Sequence, residues 1–225
     1  ILPQLSKYVQ SKKKEKITLI QNKALELSMF LSLPATIALL VGSEEIISAL
    51  FGYGSFDMES VTNSAKALYF FSLGLPAFAL IKVFSSFFFA NHDTKTPFYI
   101  SLISVILNIF ISVYYFKEIG FIIIPIATSI SSWFNSIVFF IFLKKEKLFR
   151  FNQFFLIKFI KISIASIIMG FIFRYVILFF ENQLSYSYDL KLFYLILSVI
   201  LGLMAYLLLA FFIRAFNSKD LKLKY

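Results

Sequence analysis

Residues 98–116 (FYISLISVILNIFISVYYF) and 119–143 (IGFIIIPIATSISSWFNSIVFFIFL) contain no charged side chain and are separated only by Lys117 and Glu118. A helix rises about 1.5 Å per residue, so each stretch can cover the ~30 Å of a bilayer's hydrocarbon core. The two-residue connection leaves room only for a tight turn, so the pair reads as an antiparallel helical hairpin. Long unbroken apolar runs are not the alternating pattern of a membrane β-barrel. Four further stretches of the same kind flank the hairpin, at 25–43, 65–89, 159–180 and 192–213. The expected fold class is therefore all-α and integral to a membrane, with six transmembrane helices.

Composition agrees. Of the 225 residues 60% are hydrophobic and only 15% charged, with a mean hydropathy of +0.84. Soluble domains carry about 25% charged residues, which sets aside soluble enzymes, nucleic-acid modules and disordered chains. There is no cysteine and a single histidine, His92, so disulfides, thiolate metal sites and a zinc or haem centre are not expected. The chain opens at Ile1 and reaches a lysine-rich stretch without the charged-then-apolar order of a signal peptide. It is expected to be a fragment of a longer protein, lacking the N-terminal part.

The net charge of +10 is organised by topology. Residues 7–23 hold six lysines and one acid, 144–161 six bases and one acid, and 214–224 four bases and one acid. Residues 44–59 hold four acids and no base, and 181–191 two acids and one lysine. Lysine and arginine mark the cytoplasmic side, so both ends are expected there. Basic runs such as Lys12-Lys13-Lys14 read as anchors for anionic phospholipids rather than as a nucleic-acid surface. The expected division is 1–24, the end of a preceding helix and a basic loop; 25–143, four helices; and 144–225, a basic linker, two more helices and a tail.

All twelve carboxylates fall in connections or at span ends, so this chain alone supplies neither a buried proton relay nor a paired-carboxylate hydrolytic site. The intramembrane charges are Lys82 and Arg174. Arg174 lies six residues from the outer end of its span, within reach of the interface by snorkelling. Lys82 sits eight residues before Ala90, about 12 Å along a helix. Two readings of it stand: a lysine reaching for head groups, or a cation facing a hydrated cavity that receives an anion.

Small polar residues recur at helical spacing. Ser101, Ser104, Asn108 and Ser112 share one face, and Thr128, Ser132 and Ser136 share another, with Asn135 beside it. Ser163, Ser166, Gly170 and Arg174 form a third stripe, and Ser28, Ser32 and Thr36 a fourth. Such stripes mean close helix packing or the wall of a polar cavity. Asn108 and Asn135 are the costliest to leave unsatisfied and so the better site candidates. Pro34, Gly74, Pro76 and Pro125 interrupt the spans, as static kinks or as bends of a transporter.

Three segments, in order, resemble the MurJ (MviN) lipid II flippase family: Leu2-Pro3-Gln4-Leu5-Ser6-Lys7, Leu50-Phe51-Gly52-Tyr53-Gly54-Ser55-Phe56, and Phe88-Phe89-Ala90-Asn91-His92-Asp93-Thr94-Lys95-Thr96-Pro97. The Asp-Thr-Lys-Thr-Pro run, with Lys82 upstream, is the most specific. The resemblance implies the multidrug/oligosaccharidyl-lipid/polysaccharide exporter fold, with this chain as the last six of fourteen helices. It implies a transporter and not an enzyme: alternating access carries lipid II, an undecaprenyl-pyrophosphate-linked disaccharide pentapeptide, across the bacterial cytoplasmic membrane for cell wall synthesis. It also implies a monomer without a cofactor, with coupling to sodium or to the membrane potential.

The resemblance matches Lys82 to a basic cavity position; together with Asn135 and Arg174, singled out from residue type and depth, it makes the candidate substrate-binding set. Asn108 and Thr128 match sodium-ligand positions of some members, whereas the expected Asp reads Ser112, a weaker and uncharged ligand. A related polysaccharide-lipid flippase would share the architecture without the Asp93-Thr94-Lys95-Thr96-Pro97 run. A membrane glycosyl- or phosphotransferase would need metal-holding acids at the membrane face, for which Asp93 alone is a poor candidate. A purely structural membrane subunit would bury its polar stripes in dry helix contacts.

Overall fold

A computed structural model describes residues 2–10, 14–150 and 152–215. Its helices are α1 (Leu2–Gln10), α2 (Lys14–Val41), α3 (Ser43–Phe51), α4 (Met58–Ala90), α5 (Lys95–Ile119), α6 (Ile123–Lys145), α7 (Gln153–Phe179), α8 (Glu181–Leu184) and α9 (Lys191–Phe212). The described residues contain no strand. Five apolar helical stretches are long enough to cross a membrane, and the 51-residue one, Lys95–Lys145, contains both α5 and α6. Counted as two, they give the six spans expected. Lys12 and Lys13 of the N-terminal basic run, and the tail beyond Ala215, lie outside the described residues.

The hairpin turn falls later than the charges suggest. α5 runs through Lys117 and Glu118 to Ile119, and the reversal is made by a single 3-10 turn, Gly120–Ile122. Gly120 supplies the reason: its φ of 75° is left-handed, where a side chain is strained. α2 likewise begins earlier than its apolar run, so Lys14, Lys16 and Lys23 are already helical. The acidic segment after α2 forms the short helix α3. Asp57, one of the four acids there, accepts the Ser60 N–H at 2.8 Å and caps α4.

The chain divides into two compact units, Ile1–Ser32 with Gly74–Phe159, and Leu33–Leu73 with Ile160–Tyr225. The core of the first is largely phenylalanine: Phe84, Phe87, Phe88, Phe139 and Phe149 are all buried, around Leu25 and Leu143. Phe149 comes from the connection between α6 and α7 and stacks on Phe87 with centroids 5.8 Å apart. Gly74 lies against α6, where a Cβ would stand 2.9 Å from Ser129 Oγ and 3.1 Å from its Cα.

In the second unit, small residues again set helix spacing. Gly170 abuts Ile37, and a Cβ on Gly202 would lie 3.1 Å from the Phe173 ring. Without a hydrophobic drive between helices in lipid, such close approach is how they gain packing energy.

Because the neighbour of Gly74 is backbone as well as side chain, it cannot swing aside. Gly74→Val is expected to cost about 1–3 kcal/mol, read as a lower thermal unfolding midpoint in detergent. An unchanged midpoint would mean that α4 and α6 are not in close contact there.

Candidate functional site

The polar stripes of α5 and α6 meet. Asn108 Nδ2 donates to Thr128 Oγ1 at 3.1 Å and to Ser131 Oγ at 3.3 Å. Thr128 donates to the Ile124 carbonyl, and Ser104 to the Ile100 carbonyl. Ser112, one turn from Asn108, has a buried Oγ with no partner. Three of the predicted residues, Asn108, Ser112 and Thr128, thus lie along one helix seam. Asn108 turns amide hydrogens, not a lone pair, toward the two hydroxyls, and none of the three residues is a carboxylate. That set clasps α5 to α6 and supplies no carboxylate oxygen, the ligand a hard cation favours.

Asn135 is also buried, at 8% exposure, with Oδ1 unpartnered. It sits among the buried Ser131, Ser132 and Phe139, which places it in a packed interior and not on an open wall. Ser166 and Gly170 of the third stripe are buried against their own unit as well. Ser104 and Asn108 on α5, and Ser166 with Gly170, therefore lie in packing seams, whereas Ser136 of the α6 stripe lines an open cavity.

Arg174 belongs to the second unit and is already engaged. Its Nη1 lies 3.1 Å from Glu45 Oε1, with the arginine side chain half exposed. A guanidinium whose charge is met by an acid of α3 is a tether for that helix. Its partner comes from the acidic stretch 44–59.

Lys82 is the contrasting case. It is exposed on α4, on the same face as Phe71, Phe78 and Phe89, at spacings of 11, 4 and 7 residues. No ion pair to it is found among the described residues. Ser85 donates to its carbonyl at 3.2 Å.

At the end of α4, Asn91 donates to Phe87 O, and His92 takes a left-handed φ of 60°. Asp93 Oδ1 then accepts the N–H groups of Lys95 (3.1 Å) and Thr96 (3.0 Å), starting α5 with Pro97 in its first turn, where a missing N–H costs nothing. Burial alone would raise the Asp93 pKa, but the Thr96 and Lys95 hydrogen bonds and the Lys95 charge outweigh it, and the carboxyl titrates below its ordinary 3.8. The Asp93-Thr94-Lys95-Thr96-Pro97 run is thus a built helix-to-helix turn.

Two polar clusters escaped the sequence reading. In the first unit Gln21 and Asn22 of α2 are buried and hold the basic linker: Gln21 Nε2 donates to Leu148 O at 2.7 Å, Asn22 Nδ2 donates to Arg150 O at 2.9 Å, and Asn22 Oδ1 accepts the Asn152 N–H at 3.0 Å. Beside them Lys158 pairs with Glu26 at 2.8 Å. In the second unit Lys191 is 1% exposed, donates to the carbonyls of Gly52 and Tyr186 at 2.6 Å each, and lies over the rings of Tyr53 (4.3 Å) and Tyr186 (4.6 Å). The only signal for either lay in residue type: amides beside a span, and a lysine flanked by tyrosines.

The family model described as lipid II flippase MurJ matches residues 1–195. The chain belongs to that family. The probable lipid II flippase MurJ of Rickettsia prowazekii (strain Madrid E) is 38% identical over 135 residues, 60% of this chain and 27% of the relative. Lipid II flippase MurJ of Thermosipho africanus (strain TCF52B) is 28% identical over 187 residues, 83% of this chain and 36% of the relative. A solved structure of lipid II flippase MurJ in an inward closed conformation superposes with a TM-score of 0.73 at 26% identity, over 93% of this chain and 41% of that one. The chain therefore spans between a quarter and about two fifths of the length of these MurJ proteins.

The linker clasp and the Asp93 turn can each be tested. Asn22→Leu removes the donor to the Arg150 carbonyl and the acceptor of the Asn152 N–H and is expected to cost about 1 kcal/mol by denaturant unfolding; Asn22→Asp, which keeps the acceptor, should lose less. For Asp93 the depressed folded pKa stabilises the fold above the ordinary carboxylate pKa of 3.8, and that contribution disappears as pH falls through the folded value. The stability gap between wild type and Asp93→Asn should be constant above about pH 5 and shrink below 3.8; a gap that does not change with pH would show that the charged carboxyl does not hold the turn.

Proposed function

We propose that the protein to which this chain belongs flips lipid II from the inner to the outer leaflet of the bacterial cytoplasmic membrane by alternating access, supplying precursor for peptidoglycan. The family match across residues 1–195 is the observation that carries this reading. In it, residues 25–143 complete the second lobe of the transporter and 144–225 add the linker, the extra helix pair and the tail. Both ends lie in the cytoplasm, on the evidence of the lysine and arginine distribution. The protein acts as a monomer, with anionic phospholipids against its basic connections.

Lys82 is the substrate contact. An ammonium about 12 Å from the helix end is costly against hydrocarbon unless it faces water or an anion, and its exposure without a counter-ion leaves it free for one. It meets the pyrophosphate as a point charge, needing no fork geometry. Asn135 and Arg174 act indirectly, the first inside a packed interior and the second paired with Glu45. The neutral seam of Asn108, Ser112 and Thr128 favours coupling to the membrane potential over a sodium ion held there.

Complementation of a strain depleted of its lipid II flippase tests the assignment. Wild type should restore growth. Lys82→Ala at equal membrane abundance should lower flipping about 10- to 100-fold, the loss of a charge-assisted contact of roughly 1.5–3 kcal/mol. Full activity of a normally inserted Lys82→Ala would reduce the lysine to an interfacial anchor; failure of well-expressed wild type would reject the flippase reading.

A further inference from the structure

We propose that the first unit binds one acyl chain of an anionic phospholipid, in the leaflet on the side of the basic linker. The site is an open cavity of about 560 Å³ formed by α2, α4, α6 and the first turns of α7. Met29, Leu80, Trp133, Ile137 and Phe159 contribute apolar walls. Its size is that of a small-molecule pocket, but it offers almost nothing to a polar ligand, whose groups would be desolvated without partners. A hydrocarbon chain meets no such penalty. In a bilayer, packing against such walls is weakly selective, because lipid tails are as apolar as the protein. Selection therefore depends on what stands at the cavity's end.

That end is positively charged. The α6 face that lines the cavity ends, one turn after Phe140, at Lys144 and Lys145, and Lys147 and Arg150 follow; all four are exposed, against the single acid Glu146. The linker bearing them cannot drift away, because Gln21 and Asn22 hold its carbonyls at Leu148 and Arg150. Asn152 lines the mouth, and its Oδ1 accepts the Phe154 N–H at 3.1 Å, which leaves its amide nitrogen as a donor. Glu26 is paired with Lys158 at 2.8 Å and so does not cancel the rim. An apolar slot followed in the chain by four exposed cations, with an amide donor in its lining, is complementary to a lipid with one tail in the slot and an anionic phosphate at the rim. This inference stands whether or not the protein flips lipid II.

Native mass spectrometry of the delipidated full-length protein, titrated with phosphatidylglycerol and with phosphatidylcholine of the same chains, provides the test. Phosphatidylglycerol should be retained about tenfold more tightly. Ile137→Trp, which fills the slot, should abolish that retention, with an unchanged circular dichroism spectrum showing that it folds; Ser136→Leu fills the same space if the first variant does not fold. The Lys144→Gln, Lys147→Gln, Arg150→Gln triple variant should still bind lipid but hold both kinds equally. Equal retention by wild type, undiminished retention by the filled variants, or displacement of phosphatidylglycerol by equimolar undecaprenyl phosphate would each overturn the proposal, the last by giving the slot to a polyprenyl chain.

Discussion

Polar groups carried into hydrocarbon must find their partners inside the protein, and much of this structure follows from that requirement. It makes the spans helical, since a helix pairs its own backbone. It also fixes where the remaining polar side chains go. Asn22 satisfies both ends of its amide on the linker, Asn108 satisfies two hydroxyls of α6, and Lys191 is enclosed by two carbonyls and two tyrosine rings. In water each of these groups could be left to solvent. Here Asn22 and Lys191 clasp segments far apart in sequence, and Asn108 clasps two consecutive helices.

In the first unit the Asn22 clasp organises what surrounds it. It fixes the linker, the linker inserts Phe149 among Phe84 and Phe87, and that cluster sets the position of α4 against α6. With one face of α4 committed to the core, Lys82 is left on the opposite, exposed face. The lysine's availability is thus a consequence of packing elsewhere. In the second unit the same logic uses Lys191 to hold Gly52, while Tyr186 donates to the Phe56 carbonyl at 2.9 Å, so the segment after α3 is fastened at both ends.

The six spans could be read from the sequence because hydrocarbon thickness and charge-free runs are local properties. The hairpin was legible too, but its turn was displaced: charge marks where a chain can leave the membrane, whereas a left-handed φ marks where it can reverse, and that was Gly120. The meeting of Asn108 with Thr128 followed from helical spacing on two consecutive helices. The partners of Arg174, Asn22 and Lys191 were not legible, since each lies about 130 residues or more away in the chain and no periodicity connects them. Phenylalanines build much of the first unit's core.

Family membership and an exposed lysine on α4, with no ion pair to it among the described residues, are the two observations behind the proposal that the whole protein moves an anionic lipid. The most direct measurement is translocation of fluorescent lipid II by the full-length protein in proteoliposomes, followed by loss of the outward label to an impermeant quencher. The account predicts protein-dependent exposure of label that requires the pyrophosphate headgroup. Rates no faster than those of empty liposomes, or equal acceleration of a phospholipid bearing the same label, would contradict it.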